Sequence, residues 1–290
     1  MNEWNIANKT VLVTGGTTGI GRATVEELAA RGAHVIFTAR SATDGDDVCA
    51  AVRAAAPDAQ VEHRELHLDD LASVRSFAAQ LLDDVSELHV LVNNAGLSLS
   101  ERRTTVDGFE MMFGVNHLGH FLLVEELRDL LEASSPSRIV TVASNAHQFA
   151  GGMQFDDLQS ENTRFGPVGG MKVYGRSKLA NMLHVRELSR QLAGTGVTAN
   201  SLHPGFVRTR IARDTEATRI GERVVWPIIG RFARSPERGA STSIYLASDP
   251  KIDGVTGRYF VDEQQKEPHK HGVDDAAAAR LWDASLALVN

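Results

Sequence analysis

The chain has 290 residues, enough to bury a sizeable core without a disulfide or metal staple. Its single cysteine, Cys49, excludes an intramolecular disulfide and suits a reducing compartment, where it reads as a small filler and not a nucleophile. Thirty basic against 37 acidic side chains give a formal charge of −7, which argues against a nucleic-acid surface. The opening MNEWNIANKT lacks a charged-then-apolar leader pattern, and no run approaches the ~18 apolar residues of a membrane span, so a soluble cytoplasmic protein is expected.

In chain order, the first apolar β-branched run is TVLVTG (10–15), and TGGTTGIG carries it into a helix beginning near Ile20. Gly15, Gly19 and Gly21 there permit a tight turn and close backbone approach to a pyrophosphate, whose charge meets the free N–H groups of a helix N-terminus. The turn residues Thr17, Thr18 and Ile20 belong to the same candidate cradle. The second strand, HVIFTA (34–39), is followed by Arg40 where a dinucleotide site for NAD usually holds an acid. An arginine at that place suits a 2′-phosphate, and the nearest acids, Asp44, Asp46 and Asp47, fall in the next helix pattern. The competing reading is an ordinary surface arginine.

Next come VEHRELHL (61–68) and LHVLVNNAG (88–96), then a long helical pattern around 105–132. His63 and His67 are four apart, but their segment reads as a strand, and no cluster completes a metal site, so a metal-free protein is expected. RIVTVAS (138–144) is the fifth strand. The stretch 145–170 breaks the rhythm before a helix over 174–193, in which Tyr174 and Lys178 are four apart and share a face. An ammonium beside a phenol lowers its pKa from about 10 toward the range of neutral acid–base chemistry, although a packing tyrosine and a snorkelling lysine would look the same. VTANSLHPG (197–205), a second irregular stretch at 206–234, the helix pattern SPERGASTSIYLASD, GRYFVD (257–262) and a C-terminal helix within 270–290 complete the chain. That last helix should pack Leu281, Trp282 and Leu286 onto the body.

Alternating strands and helices predict an α/β fold: one Rossmann-like, doubly wound parallel sheet of about seven strands with helices on both faces. Residues 1–290 read as a single domain, and the stretches 145–170 and 206–234 follow strands at the carboxyl edge, where such sheets bind ligands. They are the expected substrate walls, with Phe149, Met153, Phe155, Val168, Phe206, Ile211, Trp226, Ile228, Ile229 and Phe232 offering apolar surface that could equally be core.

TGGTTGIG, NNAG (93–96), Asn116 in GVNHLGHFLL, Ser144 closing IVTVAS, YGRSK (174–178) and HPGFVRT (203–209) occur in an order and spacing that resemble the short-chain dehydrogenase/reductase family. The wording looks most like the branch containing retinol dehydrogenases and related NADP-dependent reductases. The resemblance implies that Tyr174 exchanges a proton with the carbonyl or alcohol oxygen, Lys178 holds the nicotinamide ribose and keeps the tyrosine acidic, and Ser144 donates to the same oxygen. Asn116 is implied to support a water serving Lys178, or else is a buried amide satisfying helix backbone. Asn93 would lie near the adenosine ribose while Ala95 and Gly96 let the backbone approach the cofactor, although a tight strand-end turn reads equally well; Pro204 and Gly205 would fix a turn, Val207 would offer backbone to the nicotinamide amide, and Thr209 would bond a phosphate or that amide. In this branch an Asp usually meets adenine after the third strand, but ungapped alignment puts His67 there. His67, the Leu68 backbone or Asp69 remain alternatives. The resemblance also implies a homodimer or homotetramer.

Together these readings describe an NADP(H)-dependent alcohol dehydrogenase or carbonyl reductase acting on a small, lipophilic substrate. The rivals are an NAD-linked dehydrogenase, which the missing acid opposes, and a non-catalytic sensor or scaffold, which has no need of a proton-transfer set.

Overall fold

The computed structural model describes residues 4–207 and 234–290. Parallel pairing joins β1 (Thr10–Val13), β2 (His34–Ala39), β3 (Val61–Glu65), β4 (Val90–Asn93), β5 (Ser137–Val142), β6 (Val197–His203) and β7 (Tyr259–Val261), in the order β3-β2-β1-β4-β5-β6-β7. An eighth strand, β8 (Gln264–Lys266), pairs antiparallel with β7 at the edge, so the sheet has one strand more than expected. Its three residues are exposed and polar, and carry no apolar alternation. Asp262 and Glu263, at φ of 52° and 62°, form the two-residue turn that folds it back.

The central strands are apolar on both faces because helices cover both. Leu12, Ile36, Leu91 and Ile139 point into one core, while Val11, Val13, Val35, Phe37, Val92 and Val140 point into the other. The first core lies under α3 (Leu71–Asp84), α5 (Gly119–Glu126), α7 (Pro167–Gln191) and α9 (Asp275–Val289). The second lies under α1 (Gly19–Ala30), α2 (Ala42–Ala55) and α8 (Pro236–Ser248). Because β1 is flanked by β2 and β4, successive connections leave in opposite directions, and a crevice opens beyond the carboxyl ends of β1 and β4.

Two helical patterns differ from expectation in ways that bear on the site. The pattern at 105–132 becomes helical only at α4 (Met111–Phe113), where the Glu110 carboxylate caps Met112 and Phe113 N–H. It then passes through a π turn at Gly114–Leu118 into α5, and α6 (Arg128–Ala133) follows. Helix α7 starts at Pro167, earlier than the expected 174: proline suits the first helical position, and Gly166 before it takes φ 116°. The stretch 145–170 therefore contains two 3₁₀ turns, Asn145–Phe149 and Phe155–Asp157, followed by a helix start.

In α9, Leu281 and Trp282 are buried as expected, but Leu286 is 38% exposed. Ser285 takes the inward position and hydrogen-bonds His117 Nε2 at 2.8 Å. Cys49 is buried against Val61, and burial raises its thiol pKa, as a filler requires. Among the described residues no helix is long and apolar enough to cross a membrane.

Candidate active site

Beyond β1 the chain turns through Gly15 and Gly19, at φ 68° and 57°, conformations that glycine adopts without a steric cost. Gly21 serves close approach instead: a Cβ there would lie 2.1 Å from the Gly15 carbonyl oxygen. Gly16 packs on the Phe37 ring. Thr18 caps α1 without a side-chain hydrogen bond, and no acid stands in the first turn. No side chain of the cap or first turn therefore competes for the free N–H groups there, and an incoming acceptor can meet them.

Across the crevice, Asn93 is buried at the end of β4. Its Nδ2 faces Thr141 Oγ1 at 3.4 Å, and its Oδ1 is buried without a hydrogen-bond donor. A buried orphan acceptor is costly unless a ligand hydroxyl completes it. Unsatisfied donors at α1 and an unsatisfied acceptor at Asn93 are the demands a dinucleotide meets, with its pyrophosphate on one side and a ribose on the other. The residues present therefore fit that cofactor.

Two residues absent from the sequence reading assemble this cradle. Thr14 Oγ1 accepts from Asn94 N–H at 2.9 Å and Ala95 N–H at 3.0 Å, and Asn94 Nδ2 donates to the carbonyls of Thr14 and Gly15. Both lie inside the quoted motifs, but a single sequence cannot show that one loop clasps the other.

Ser144 ends the β5 segment and Tyr174 projects from α7. Ser144 Oγ accepts from Ala146 N–H at 3.1 Å, which leaves its own proton for the crevice, where the Tyr174 phenol stands beside it. Burial raises the phenol pKa, and Ser144 partly opposes that rise. The Lys178 ammonium is 5.9 Å from the phenol ring centre, and its Nζ donates to the Val142 carbonyl at 2.9 Å. Only 2% of Lys178 is exposed, and burial pushes its pKa down to about 8.

Asn116 sits in the π turn, with both amide protons in use at 2.9 Å, one on the Leu97 carbonyl and one on Ser177 Oγ. Its Oδ1 accepts from Leu97 N–H at 2.8 Å. Ser177 Oγ in turn donates to the Tyr174 carbonyl at 2.8 Å. These are the contacts of a brace between the loop after β4 and the helix carrying the tyrosine. Gly96 completes the approach, since a Cβ there would stand 3.0 Å from Asn116 Oδ1 and 3.2 Å from Lys178 Nζ.

Gly175, beside the tyrosine, brings α7 against the turn carrying Ser144. A Cβ there would lie 2.4 Å from the Ala146 carbonyl oxygen. Gly175→Ala is expected to push that turn off the helix, costing roughly 1–3 kcal/mol of stability and about tenfold or more in kcat. A thermal melt and a rate measurement on the purified variant check both.

The remaining expected residues are spread along the crevice. Arg40 is exposed at the end of β2 and makes no ion pair with any described residue. His67 is partly exposed and its Nε2 meets Glu65 Oε1 at 2.8 Å, while the Leu68 side chain is committed to the core, leaving only its backbone for a ligand. Gly205, at φ 80°, follows Pro204 at the end of β6 and donates its N–H to His203 Nδ1 at 2.9 Å. Val207 bridges to Arg234 and packs against Gly239 at the start of α8. Phe149 and Phe206 are 60% and 51% exposed, beyond the neighbouring strands β5 and β6, and Val168 is exposed on the first turn of α7. Met153 and Phe155 pack against the core. Thr209, Ile211, Trp226, Ile228, Ile229 and Phe232 lie outside the described residues.

A family model described as short chain dehydrogenase matches residues 9–155, a span holding the glycine turn, Asn93, Asn116 and Ser144. The chain belongs to the short-chain dehydrogenase family. A second model, described as Enoyl-(Acyl carrier protein) reductase, matches residues 160–263 of this dehydrogenase. Retinol dehydrogenase 14 of Mus musculus is 43% identical to it, over 97% of this chain and 86% of its own length. Retinol dehydrogenase 13 of Homo sapiens is 42% identical over 98% and 85%. The crystal structure of a putative uncharacterized protein from Mycobacterium Paratuberculosis matches with a TM-score of 0.77 at 34% identity, covering 99% of this chain and 96% of that one. This short-chain dehydrogenase is thus an oxidoreductase related to retinol dehydrogenases, of a family that uses an NAD(P) nucleotide.

Proposed function

We propose that the protein is an NADP(H)-dependent oxidoreductase that interconverts an alcohol and an aldehyde or ketone, with Tyr174 as the acid or base. The observation that carries this reading is the Tyr174 phenol beside Ser144 at the crevice, with buried Lys178 5.9 Å from its ring on the same helix face. A bound nicotinamide supplies or accepts the hydride. In reduction, Tyr174 gives its proton to the carbonyl oxygen as negative charge develops there, and Ser144 steadies that oxygen by donating its free hydrogen. Oxidation runs the same transfers backward, with Tyr174 taking the alcohol proton. A phenol held protonated by burial suits the reductive direction.

Arg40, exposed at the strand end and without an ion pair among the described residues, favours the 2′-phosphate of NADP over the free hydroxyl of NAD. Phe149, Val168 and Phe206 favour a lipophilic substrate. Screening aldehydes and ketones of graded chain length with NADPH and NADH, read by loss of nicotinamide absorbance, tests the reading. Turnover of apolar carbonyls with NADPH is expected, and no turnover of any carbonyl or alcohol would overturn it.

A pH dependence follows from Lys178. Its ammonium is charged below about pH 8 and neutral above, so a contact of that cation with the cofactor weakens as pH rises. The phenol, displaced upward, does not lose its proton over that interval. kcat/KM for NADPH is therefore expected to fall above about pH 8, and Lys178→Met to weaken NADPH binding and flatten that limb.

A further inference from the structure

His120 is 2% exposed on α5, and neither the motif nor the proton-transfer set assigns it a part. Its Nε2 lies 2.8 Å from Thr14 Oγ1, and its Nδ1 lies 3.2 Å from the Asn116 carbonyl oxygen. A carbonyl can only accept, so Nδ1 must carry a hydrogen. The Thr14 hydroxyl already accepts two backbone N–H bonds, from Asn94 and Ala95, and its single hydrogen is left to donate. That hydrogen has a short path to His120 Nε2 and a long one, 3.4 Å, to the Val92 carbonyl. Each group in the chain thus fixes the next, and the imidazole is set as the Nδ1–H tautomer with Nε2 accepting.

We propose that His120 is a positioning residue that couples the cofactor cradle to the catalytic tyrosine. The link runs from the N–H groups of Asn94 and Ala95 through the Thr14 hydroxyl and the imidazole to the Asn116 carbonyl. From Asn116 it continues through the amide to Ser177, whose hydroxyl holds the Tyr174 carbonyl. A dinucleotide seated against Ala95 and Gly96 presses on one end of this chain, and the helix bearing Tyr174 is held at the other. The π turn makes room for it: Gly119 closes a wider ring onto the Gly114 carbonyl, in the same turn where the imidazole engages Asn116.

The groups facing the ring keep it neutral. Lys178 on α7 opposes a second proton and burial opposes it more strongly, so the imidazole pKa falls to about 3. His117 on the adjoining turn and His184 on α7 are neutral for the same reason, and each opposes charge on its neighbours. This coupling rests on the oxidoreductase reading above, so its test includes readouts that need no turnover.

In the ¹⁵N-labelled protein, long-range proton–nitrogen spectra of the imidazoles are expected to show His120 with a protonated Nδ1 and a bare Nε2, unchanged between about pH 6 and 8. An Nε2–H tautomer or an imidazolium overturns the proposal. A double-mutant cycle then measures the coupling through NADPH affinity, by quenching of protein fluorescence, and through kcat. Thr14→Val and His120→Phe are each expected to weaken NADPH binding and lower kcat by roughly tenfold, with carbonyl KM little changed. The double variant should be no worse than about twofold beyond the poorer single one, while Thr14→Ser, which keeps the hydroxyl, should recover most of the loss seen in Thr14→Val. Losses that multiply to roughly a hundredfold, or a Thr14→Ser variant as poor as Thr14→Val, overturn the link. If His120→Phe does not fold, the tautomer and the Thr14 pair decide alone. Failure of the carbonyl screen would defeat the oxidoreductase reading and leave the tautomer and the NADPH affinities still readable.

Discussion

Tyr174→Phe is expected to slow carbonyl reduction by at least ~10² while NADPH binds as before. The substitution removes one oxygen from the face of α7 that meets Ser144 and leaves the ring in place. The ring packs beside Leu99, Met112 and Val173, so the fold should be unaffected and the loss should fall on kcat. No other described group stands ready to supply the proton. The Ser144 hydroxyl can donate a hydrogen bond but is too weak an acid to give its proton up, and Lys178 is turned toward the Val142 carbonyl. Single-turnover absorbance decay with saturating NADPH measures the step directly. A variant that reduces carbonyls at near wild-type rate would remove Tyr174 from the mechanism.

What the sequence disclosed and what it hid follow from where each signal resides. The glycine turn, Asn93, Ser144, Tyr174 and Lys178 all stand at ends of apolar runs or at helical spacing, and the fold brings them to one crevice because parallel strands share a carboxyl edge. The polar contacts that lock them together were not legible. His120, Ser177 and Thr14 are ordinary helix and strand-end residues until α5 and α7 pack side by side on the sheet. His117, His120 and His184 are fully enclosed, although histidine in a helix carries no pattern that separates core from surface. The sequence hides the first turns of α7 because the glycine pair at Gly169 and Gly170 resembles a loop. Gly170 is there so that the helix can pass the Leu99 carbonyl, 2.4 Å from where a Cβ would stand. Strand β8 is hidden for the opposite reason: its pairing depends on a turn with two non-glycine residues at positive φ.

Arg40→Asp is expected to reverse cofactor preference from NADPH to NADH. A charge-assisted contact to the 2′-phosphate contributes roughly 1.5–3 kcal/mol, which is about 10- to 150-fold in affinity at 25 °C. Arg40 stands where β2 ends beside the glycine turn of β1, and β2 is paired with β1 through Phe37 and Val13 just before it. Its neighbours offer little competition: Ser41 caps α2 by accepting from Asp44 N–H, His63 holds Asp46, and Glu65 is taken by His67. An aspartate in its place repels the phosphate and offers carboxylate oxygens to a free 2′-hydroxyl, so both halves of the ratio should move. The measurement is kcat/KM for NADPH and NADH in both proteins at one fixed ionic strength, because an exposed contact of this kind is screened by salt. Raising the salt should shrink the preference of both proteins, since the attraction of Arg40 and the repulsion of an aspartate toward the 2′-phosphate are both screened. A wild-type enzyme that favours NADH, or a variant whose preference stays where it was, would make Arg40 a surface residue and move the search for selectivity to Thr17, Thr18 and the Glu65–His67 pair.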